Sequence, residues 1–460
     1  MRCGVETCTV VNALAQNLKA RLFPPERRVL PNLNDFYELE LAFYENLILD
    51  DEGLEQRGAY FASVNGKPTR HFLICTGNPL KLPDHSSSRL KSFFEKNIFR
   101  TGYGTHGLFP YRGKFHPQMI KGIINVMGLK PGETVLDPMM GSGTVSAEAT
   151  LMGINSVGVD ASPFCRFMTQ TKIDALTMSL TRAKGALGNS EEVFEYFKGR
   201  VGMPLIGGKE RRPAPTSEGM AAMETVAEYA MARDREKLTK EDRDTSDTYN
   251  FLLLAYLDSA GYAERSTRKA PLEQFRSILE RYVFVAEKIQ AVLKGVESEL
   301  GQARILQGDA RSLPLEDQSV HGIVFSPPYS FAVDYVKNDS FHLNFLGVDV
   351  QDLRTRMVGL RGGKLAEKFE FYKDDMNKVL AECGRVLRKN RFCAIIVGTN
   401  SNQLGKVLGL PPENVPGLHS VLAEMAEGHG FRLVKEMSRP ITGLSNTMRR
   451  EYILMLEKRG

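Results

Sequence analysis

The chain is organised around residues 320–329, which read Val320-His321-Gly322-Ile323-Val324-Phe325-Ser326-Pro327-Pro328-Tyr329. The first six residues are mostly β-branched or aromatic and predict a buried strand, and the two prolines end it because proline cannot continue a hydrogen-bonded ladder. The chain therefore turns out at the carboxyl end of the strand, which is the edge where open α/β sheets bind ligands. A rigid Pro-Pro turn beside an aromatic ring suits a planar base with an exocyclic amine. Taken alone, the same residues also suit an ordinary strand-ending turn.

A second stretch, residues 134–144, supplies the context. It reads Thr134-Val135-Leu136-Asp137-Pro138-Met139-Met140-Gly141-Ser142-Gly143-Thr144 and predicts a strand, a glycine turn and a helix that begins near Thr144. Glycine permits positive φ and close approach of backbone to a ligand, and a helix amino terminus offers unpaired N–H groups. The next predicted strand, residues 156–159, ends in Asp160, where a carboxylate is placed to bind ribose hydroxyls. The glycine spacing is not G-x-G-x-x-G, which disfavours a dinucleotide-dependent oxidoreductase.

These motifs resemble those of the amino-group DNA methyltransferases, which use S-adenosylmethionine. Residues 137–144 resemble the D-P-F-x-G-S-G-T motif of that family, and residues 326–329 resemble its S-P-P-Y catalytic motif. The stretch Lys114-Phe115-His116-Pro117-Gln118 is similar to the motif that precedes the first strand and helps to hold the methionine part of the cofactor. Gly308-Asp309-Ala310 resembles the turn after the third strand, near the adenine. The resemblance covers roughly residues 100–172 and 303–460.

The resemblance implies a fold and a set of site residues. The implied fold is a Rossmann-like α/β sheet with helices on both faces, in a methyltransferase domain of residues 101–172 and 301–460, with an α+β region over residues 1–100 and a helical insertion over residues 173–300. The implied catalytic residues are Ser326, Pro327, Pro328 and Tyr329. The residues implied to bind S-adenosylmethionine are Lys114, Phe115, His116, Asp137, Pro138, Met139, Met140, Gly141, Ser142, Gly143, Thr144, Asp160, Ala161, Asp309 and Ala310.

The implied chemistry is methyl transfer to an amine. Hydrogen bonds from the amine to the Ser326 side chain and the Pro327 carbonyl would draw the nitrogen toward tetrahedral geometry, while Tyr329 would stack on a base that has left its helix. No cysteine is adjacent to the Pro-Pro turn in sequence, which disfavours the covalent route used for ring-carbon methylation.

The substrate follows less directly. Serine at 326 resembles the cytosine-N4 branch more than the adenine-N6 branch, so we expect N4-methylcytosine in DNA. The alternatives are N6-adenine methylation of DNA, methylation of a base in ribosomal or transfer RNA, and an inactive subunit that binds cofactor and nucleic acid.

Composition agrees with a globular enzyme of two or three structural units. The chain has 460 residues, of which 42% are hydrophobic and 25% charged. No apolar run approaches the ~20 residues of a membrane-spanning helix, and the start lacks a signal-peptide pattern, so we expect a cytoplasmic protein. The six cysteines are scattered without a C-x-x-C pair, which predicts reduced thiols and no metal site.

The formal net charge of +5 permits a nucleic-acid partner without requiring one. Local clusters are more informative, because phosphate binding needs several cations together. The predicted phosphate contacts lie in a glycine-rich loop, in the segment after the Pro-Pro turn and at a break in the insertion: Arg354, Arg356, Arg361, Lys364, Lys337, Arg265, Arg268 and Lys269. In the resembled family the target-recognition region usually lies elsewhere in the chain, so the role of residues 173–300 stays open.

The remaining patterns predict individual elements. The loop of residues 102–117 has glycines at four positions, which indicate a loop that folds over something, and an ordinary connector is the alternative. Helical periodicity is found at 35–49, 249–260 and 271–300, a strand-like run at 71–75, and two strands of an antiparallel hairpin at 431–436 and 451–457.

Overall fold

The structure is a computed structural model that describes residues 18–33, 35–76, 88, 91–92, 102–111, 113–200, 217–231, 235–263, 270–295, 299–328, 334–441 and 450–460. In these ranges the strands are β1 Arg27–Val29, β2 Phe61–Val64, β3 Lys67–Pro68, β4 Thr134–Asp137, β5 Asn155–Asp160, β6 Ala303–Gln307, β7 Val320–Phe325, β8 Leu387–Gly398, β9 Phe431–Pro440 and β10 Arg450–Lys458.

Helices occupy most of the remaining described chain. They are α1 Phe36–Ile48, α2 Asp51–Arg57, α3 Arg70–Thr76, α4 Pro117–Val126, α5 Thr144–Leu151, α6 Pro163–Asp174, α7 Thr181–Gly188, α8 Ser190–Lys198, α9 Glu218–Met231, α10 Lys240–Ala263, α11 Pro271–Gly295, α12 Tyr335–Asn338, α13 Ser340–Phe345, α14 Val350–Arg356, α15 Leu365–Val386, α16 Ser401–Leu408 and α17 Leu418–Glu427. None of these described helices combines the length and apolar character needed to cross a bilayer.

The centre of the molecule is a seven-stranded sheet with the strand order β6-β5-β4-β7-β8-β10-β9. The first five strands in that order run parallel, and β10 is antiparallel to both β8 and β9. The predicted hairpin is therefore confirmed, and so is the Rossmann-like α/β fold. Helices cover both faces of the sheet. Successive side chains of a strand point to opposite faces, so Val135 packs in one core with α4 and α5, and Leu136 packs in another core with α15 and α17.

The pairing of β4 with β7 positions the site. Val135 is paired with Gly322 and Leu136 with Ile323, in parallel orientation. Because parallel neighbours end at the same edge, the glycine turn after β4 and the Pro-Pro turn after β7 both leave the sheet at that edge. The order of strands therefore brings together two motifs that lie far apart in sequence.

The amino-terminal region is an α+β layer that packs on the sheet. Strands β1 to β3 form a small antiparallel sheet, and the carboxylate of Glu45 on α1 accepts hydrogen bonds from Ala59 N–H and from Asn125 Nδ2 on α4. The helix predicted at 35–49 is confirmed. The strand predicted at 71–75 is wrong, because the Thr69 hydroxyl accepts the Phe72 N–H and starts helix α3 there.

The insertion is helical in its described residues, and the two predicted helices are confirmed as α10 and α11. These helices share a core with Phe109 of the 102–117 loop, with Phe164 of α6 and with Leu343 and Phe345 of α13. The insertion therefore supports the segment that follows the Pro-Pro turn.

Four cysteines lie in the described part of the chain, and each is a buried free thiol: Cys75, Cys165, Cys383 and Cys393. The prediction of reduced, buried thiols is confirmed for these four. Cys3 and Cys8 lie outside the described residues.

Candidate active site

The turn after β4 has a conformation that requires glycine. Gly141 and Gly143 have φ values of +49° and +73°, in the left-handed region that side chains disfavour. A Cβ on Gly143 would lie 2.3 Å from Thr169 Cγ2, whereas a Cβ on Gly141 would meet only Tyr111 Cε1, at 3.6 Å. Gly143 is thus fixed by packing against α6, and Gly141 faces the space in front of the turn.

Two aspartates hold this turn. Asp160 Oδ2 accepts a hydrogen bond from Gly141 N–H at 2.9 Å, and Oδ1 accepts one from Ser162 N–H at 2.8 Å. Burial raises the pKa of the Asp160 carboxyl, and these two N–H groups partly offset that rise. Asp137 is fully buried, and its Oδ1 accepts the Met139 N–H at 3.1 Å. Burial raises the pKa of Asp137 well above its usual range.

The glycine turn and the Pro-Pro turn line one cleft. Its empty volume, including the open mouth, is about 980 Å³. The walls include most of the predicted site residues, from five separate segments: Lys114, Phe115, Pro138, Met139, Met140, Gly141, Ser142, Asp160, Ala161, Asp309, Ala310, Ser326, Pro327 and Pro328. The structure therefore brings the predicted cofactor and catalytic segments to the same opening. Tyr329 lies outside the described residues.

Four predicted residues are not part of the cleft wall. Asp137 and Thr144 are buried behind the glycine turn, Gly143 packs on Thr169, and His116 precedes α4, where its carbonyl accepts the Ile120 N–H. These positions shape the cleft through the backbone, and none of their side chains faces it.

Tyr111, Gly113, Lys114 and Phe115 of the 102–117 loop lie in the cleft wall, and the loop is anchored by a buried carboxylate. Glu148 Oε1 accepts hydrogen bonds from Tyr103 OH at 2.8 Å and from His106 Nε2 at 2.7 Å, and Lys121 Nζ lies 3.6 Å from Oε2. Burial raises the pKa of Glu148, but Lys121 and His106 outweigh that effect and lower the pKa to about 2. The loop is thus tied to α5, the helix that starts at the glycine turn.

Lys114 brings a cation into the same wall. Its Nζ donates to the carbonyl of His106 at 2.9 Å. Burial, reinforced by the charge of Arg281, lowers the pKa of the Lys114 ammonium to about 8. The side chain is therefore charged at neutral pH and has donors directed by the anchored loop.

The predicted phosphate-binding arginines are already paired with carboxylates. The ion pairs are Arg354 with Asp334, Arg356 with Asp352 and Arg361 with Asp375, each with 2.5 Å between nitrogen and oxygen. Of these arginines only Arg356 lines the cleft. Lys337 and Lys364 are exposed, and the predicted contacts Arg265, Arg268 and Lys269 lie outside the described residues.

Several cleft residues gave no sequence signal. These are Cys165 on α6 and Met357 and Val358 after α14, whose positions depend on the tertiary packing. Tyr111 belongs to the loop of residues 102–117, and Tyr335 belongs to the segment after the Pro-Pro turn. Cys165 reaches the cleft wall from α6, far in sequence from the Pro-Pro turn. Its Sγ lies 3.5 Å from Tyr111 OH, and burial raises the thiol pKa well above its usual range, so the sulfur is a protonated and poor nucleophile.

The chain is similar to known methyltransferases. The family model described as "UPF0020: RMKL-like, methyltransferase domain" matches residues 108–192. Type II methyltransferase M.BsoBI of Geobacillus stearothermophilus is 23% identical over 283 residues, covering 54% of this chain and 54% of that protein. Type II methyltransferase M.MjaII of Methanocaldococcus jannaschii is 23% identical over 443 residues, covering 75% of this chain and 78% of that protein. The match thus spans about half the length of M.BsoBI.

A shorter similarity involves an RNA enzyme. The tRNA (guanine(10)-N2)-dimethyltransferase of Methanothermobacter thermautotrophicus is 40% identical over 52 residues, covering 11% of this chain and 16% of that protein.

The region that matches the family model contains most of the cofactor side of the cleft. Residues 108–192 include Lys114, the glycine turn and Asp160. The cofactor prediction is confirmed at the level of the family, for which S-adenosylmethionine is the methyl donor. The sheet order, the cleft and these similarities lead to one conclusion: the chain is an enzyme of the methyltransferase type.

Proposed function

We propose that the protein transfers the methyl group of S-adenosylmethionine to the exocyclic amine of a nucleobase, with cytosine N4 in DNA as the preferred target. The observation that carries this proposal is that Gly141 and Pro327, from the turns after β4 and β7, line a single cleft. A donor held at the first turn and an amine held at the second are then close enough to react, and such proximity is the main contribution an enzyme makes to a simple group transfer.

The residues of the cleft fit the cofactor. The open space in front of Gly141 would admit a ligand that a Cβ there would obstruct, and Asp160 at the end of β5 would bind the ribose hydroxyls. The Lys114 ammonium suits the carboxylate of the methionine part. Apolar side chains of Met139 and Ala310 offer surfaces for the adenine ring. S-adenosylmethionine, when bound, supplies an electrophilic methyl carbon.

The Pro-Pro turn would bind the amine that receives the methyl group. An exocyclic amine is a weak nucleophile because its lone pair is delocalised into the ring. The Ser326 side chain and the Pro327 carbonyl are acceptors that would hold the two N–H groups and favour a tetrahedral nitrogen, and the prolines keep those acceptors rigid. Tyr329 would stack on the base, which must be extruded from a duplex to reach the cleft.

The matches to Type II methyltransferases support a DNA substrate and a role in DNA modification. Serine at 326 favours cytosine N4 over adenine N6. A base in RNA is the second candidate, and the similarity to a tRNA dimethyltransferase is the observation that favours it.

Phosphate contacts are proposed at the exposed lysines Lys337 and Lys364 and at the loop that carries Arg354, Arg356 and Arg361. Each of these guanidinium groups would have to bind a phosphate while it also binds its carboxylate partner. Arg265, Arg268 and Lys269 are proposed as phosphate contacts from the sequence alone.

We further propose that the methyltransferase domain comprises residues 101–172 and 301–460, and that residues 1–100 and 173–300 are additions to it. We also propose that the protein acts in the cytoplasm.

The test is a methylation assay with defined products. Purified protein and methyl-labelled S-adenosylmethionine are incubated in parallel with duplex DNA, ribosomal RNA and transfer RNA, and the products are digested to nucleosides for mass spectrometry. N4-methylcytosine from DNA supports the proposal, and N6-methyladenine or a product from RNA alone would replace the substrate while keeping the reaction. Pro327→Ala serves as the inactive control, and a variant as active as the wild type would contradict the role of the Pro-Pro turn.

A further inference from the structure

Arg311 joins three separate segments behind the cleft. Its Nε donates to Asp309 Oδ1 and Oδ2 at 2.9 and 3.1 Å, and its Nη2 donates to Asp309 Oδ2 at 2.7 Å and to the carbonyl of Arg356 at 2.8 Å. Its Nη1 donates to Asp375 Oδ1 at 2.8 Å. All three nitrogens of one planar group are thus engaged, and planar geometry makes such contacts directional.

The guanidinium lies behind the cleft wall. Asp309 and Arg356 line the cleft, whereas Arg311 and Asp375 do not. The Arg311 side chain is 16% exposed and that of Asp375 is fully buried. Arg311 therefore fixes the turn after β6 relative to the end of α14, and it fixes both relative to α15.

The same buried carboxylate also binds the basic loop. Arg361 Nη2 lies 2.5 Å from Asp375 Oδ1, and its guanidinium carbon lies 4.8 Å from the centre of the Phe371 ring. Arg311 and Arg361 thus pair with Asp309 and Asp375, and Asp374 Oδ2 lies 3.8 Å from Arg361 Nη2. Because a buried carboxylate is costly to leave unpaired, each member of this group holds the others in place.

This arrangement changes the role of Asp309. Partial burial raises the pKa of its carboxyl, but the hydrogen bonds from Arg311 outweigh that effect and keep the pKa below its usual value. The carboxylate is therefore ionised and bound on both oxygens by Arg311. It shapes the cleft by fixing the position of its own turn.

We propose that Arg311 is a positioning residue for the cofactor. By clamping the Asp309 turn to the Arg356 carbonyl, it sets the distance between two parts of the apolar wall, Ala310 on one side and Met357 and Val358 on the other. The proposal rests on the proposed function in that it takes this cleft as the S-adenosylmethionine site. Lysine cannot replace Arg311, since one ammonium cannot span Asp309, Asp375 and the carbonyl together.

The chain offers a matched control. Arg385, on the same helix as Asp375, donates to Glu382, to Asp317 and to the carbonyls of Leu313 and Leu315. No member of that group lines the cleft. Arg311→Lys and Arg385→Lys therefore remove comparable guanidinium networks, but only the first network is connected to the cofactor wall.

The experiment measures the Kd for S-adenosylhomocysteine by calorimetry and the thermal midpoint of each variant. We expect Arg311→Lys to weaken binding about tenfold, while Arg385→Lys stays within about twofold of wild type, and we expect both variants to lower the midpoint. Equal weakening by both variants, or wild-type affinity in Arg311→Lys, would overturn the proposal.

Asp375→Asn provides a second measurement if Arg311→Lys does not fold. Asp375 does not line the cleft, so weaker binding in this variant supports transmission through Arg311, and unchanged binding contradicts it. The assay needs no nucleic acid. If the wild-type protein binds S-adenosylhomocysteine but methylates no nucleic acid, the proposed function is refuted, and the role of Arg311 can still be tested. If the wild-type protein does not bind S-adenosylhomocysteine, both the proposed function and the role of Arg311 are refuted.

Discussion

The hydroxyl of Thr169 donates a hydrogen bond to the carbonyl of Gly141 over 3.2 Å, and the methyl group of the same side chain fills the space next to Gly143. One residue of α6 therefore holds the glycine turn in two ways. Together with the bond from Gly141 N–H to Asp160, this contact fixes the front of the cleft before any ligand arrives. A preformed turn loses little conformational entropy on binding.

Gly143→Ala tests that packing. The variant is expected to lose about 3 kcal/mol of unfolding free energy and most of its affinity for S-adenosylhomocysteine, because it adds backbone strain at positive φ to a clash with Thr169. Gly128→Ala is the control, since Gly128 has a φ of +71° and no neighbouring atom within 4 Å of a Cβ. It should lose only about 1 kcal/mol, from strain alone. Urea unfolding compares the two, and equal losses would show that the clash is relieved.

The strands were predictable because their residues carry the pattern. The β7 run 320–325 and the β4 run 134–137 are apolar and bounded by turns, and each forms the strand expected, with the functional turn at its carboxyl end. The strand predicted at 71–75 failed because a capping threonine and tertiary contacts outweighed the β-branched composition: Arg70 donates to the Leu151 carbonyl, and Ile74 packs in a core with α11.

The site was predictable where chemistry is local and unpredictable where it depends on contacts across the fold. Asp160 is the last residue of β5, and Gly141 and Pro327 lie within a few residues of the ends of β4 and β7, so their place at the sheet edge follows from the motifs. Cys165 and Arg311 have no such signal, since their neighbours come from segments distant in sequence. Arg361 also has a partner that the sequence does not indicate, the buried carboxylate of Asp375.

Cofactor affinity should depend on pH through Lys114. Its pKa of about 8 lies below the ordinary value of 10.5, so the ammonium is charged at pH 7 and loses its proton as the pH rises through 8. The affinity for S-adenosylhomocysteine should therefore fall above pH 8, by up to about tenfold per pH unit. Lys114→Met should bind weakly at every pH from about 7 to 9. Calorimetry across this range is the measurement, and a wild-type profile that stays flat through pH 8 would remove Lys114 from the proposed carboxylate site.

Methyl transfer should not require the cleft cysteine. Cys165→Ala is expected to keep kcat within about threefold of wild type, because burial keeps the thiol protonated and it lies beside the Tyr111 hydroxyl. Initial rates with labelled S-adenosylmethionine measure kcat, and nucleoside mass spectrometry should show no 5-methylcytosine in either protein. A loss of activity comparable to that of Pro327→Ala would indicate a covalent intermediate instead.

The Glu148 anchor should make stability sensitive to acid. The pKa of Glu148 in the folded protein is about 2, below the ordinary value of 4.5. The ionised carboxylate therefore contributes to the free energy of unfolding above pH 4.5, and this contribution is lost as the pH falls toward 2. Glu148→Gln should lower the unfolding free energy at pH 7 by about 3 kcal/mol, because the buried Lys121 loses its counter-charge.

The control for that anchor is an ion pair that is partly exposed, with 18% of the Glu133 side chain and 30% of the Arg391 side chain accessible. Glu133 binds Arg391 near the surface, and Glu133→Gln should cost less than about 1 kcal/mol. Urea unfolding at pH 7 and at pH 4 compares the variants with the wild type. If Glu148→Gln kept the acid sensitivity of the wild type, the carboxylate would not be the titrating anchor.

Helix α10 of the insertion contacts α13, a helix that follows the Pro-Pro turn in sequence. His342 of α13 forms a hydrogen bond with the Leu257 carbonyl of α10 through its Nε2, and the rings of Tyr256 and Phe345 lie 5.7 Å apart in the same interface. Helix α13, which follows the Pro-Pro turn in sequence, therefore packs on α10. Since Leu343 of α13 also lines the cleft, a substitution on α10 can move that part of the cleft wall without touching the glycine turn after β4.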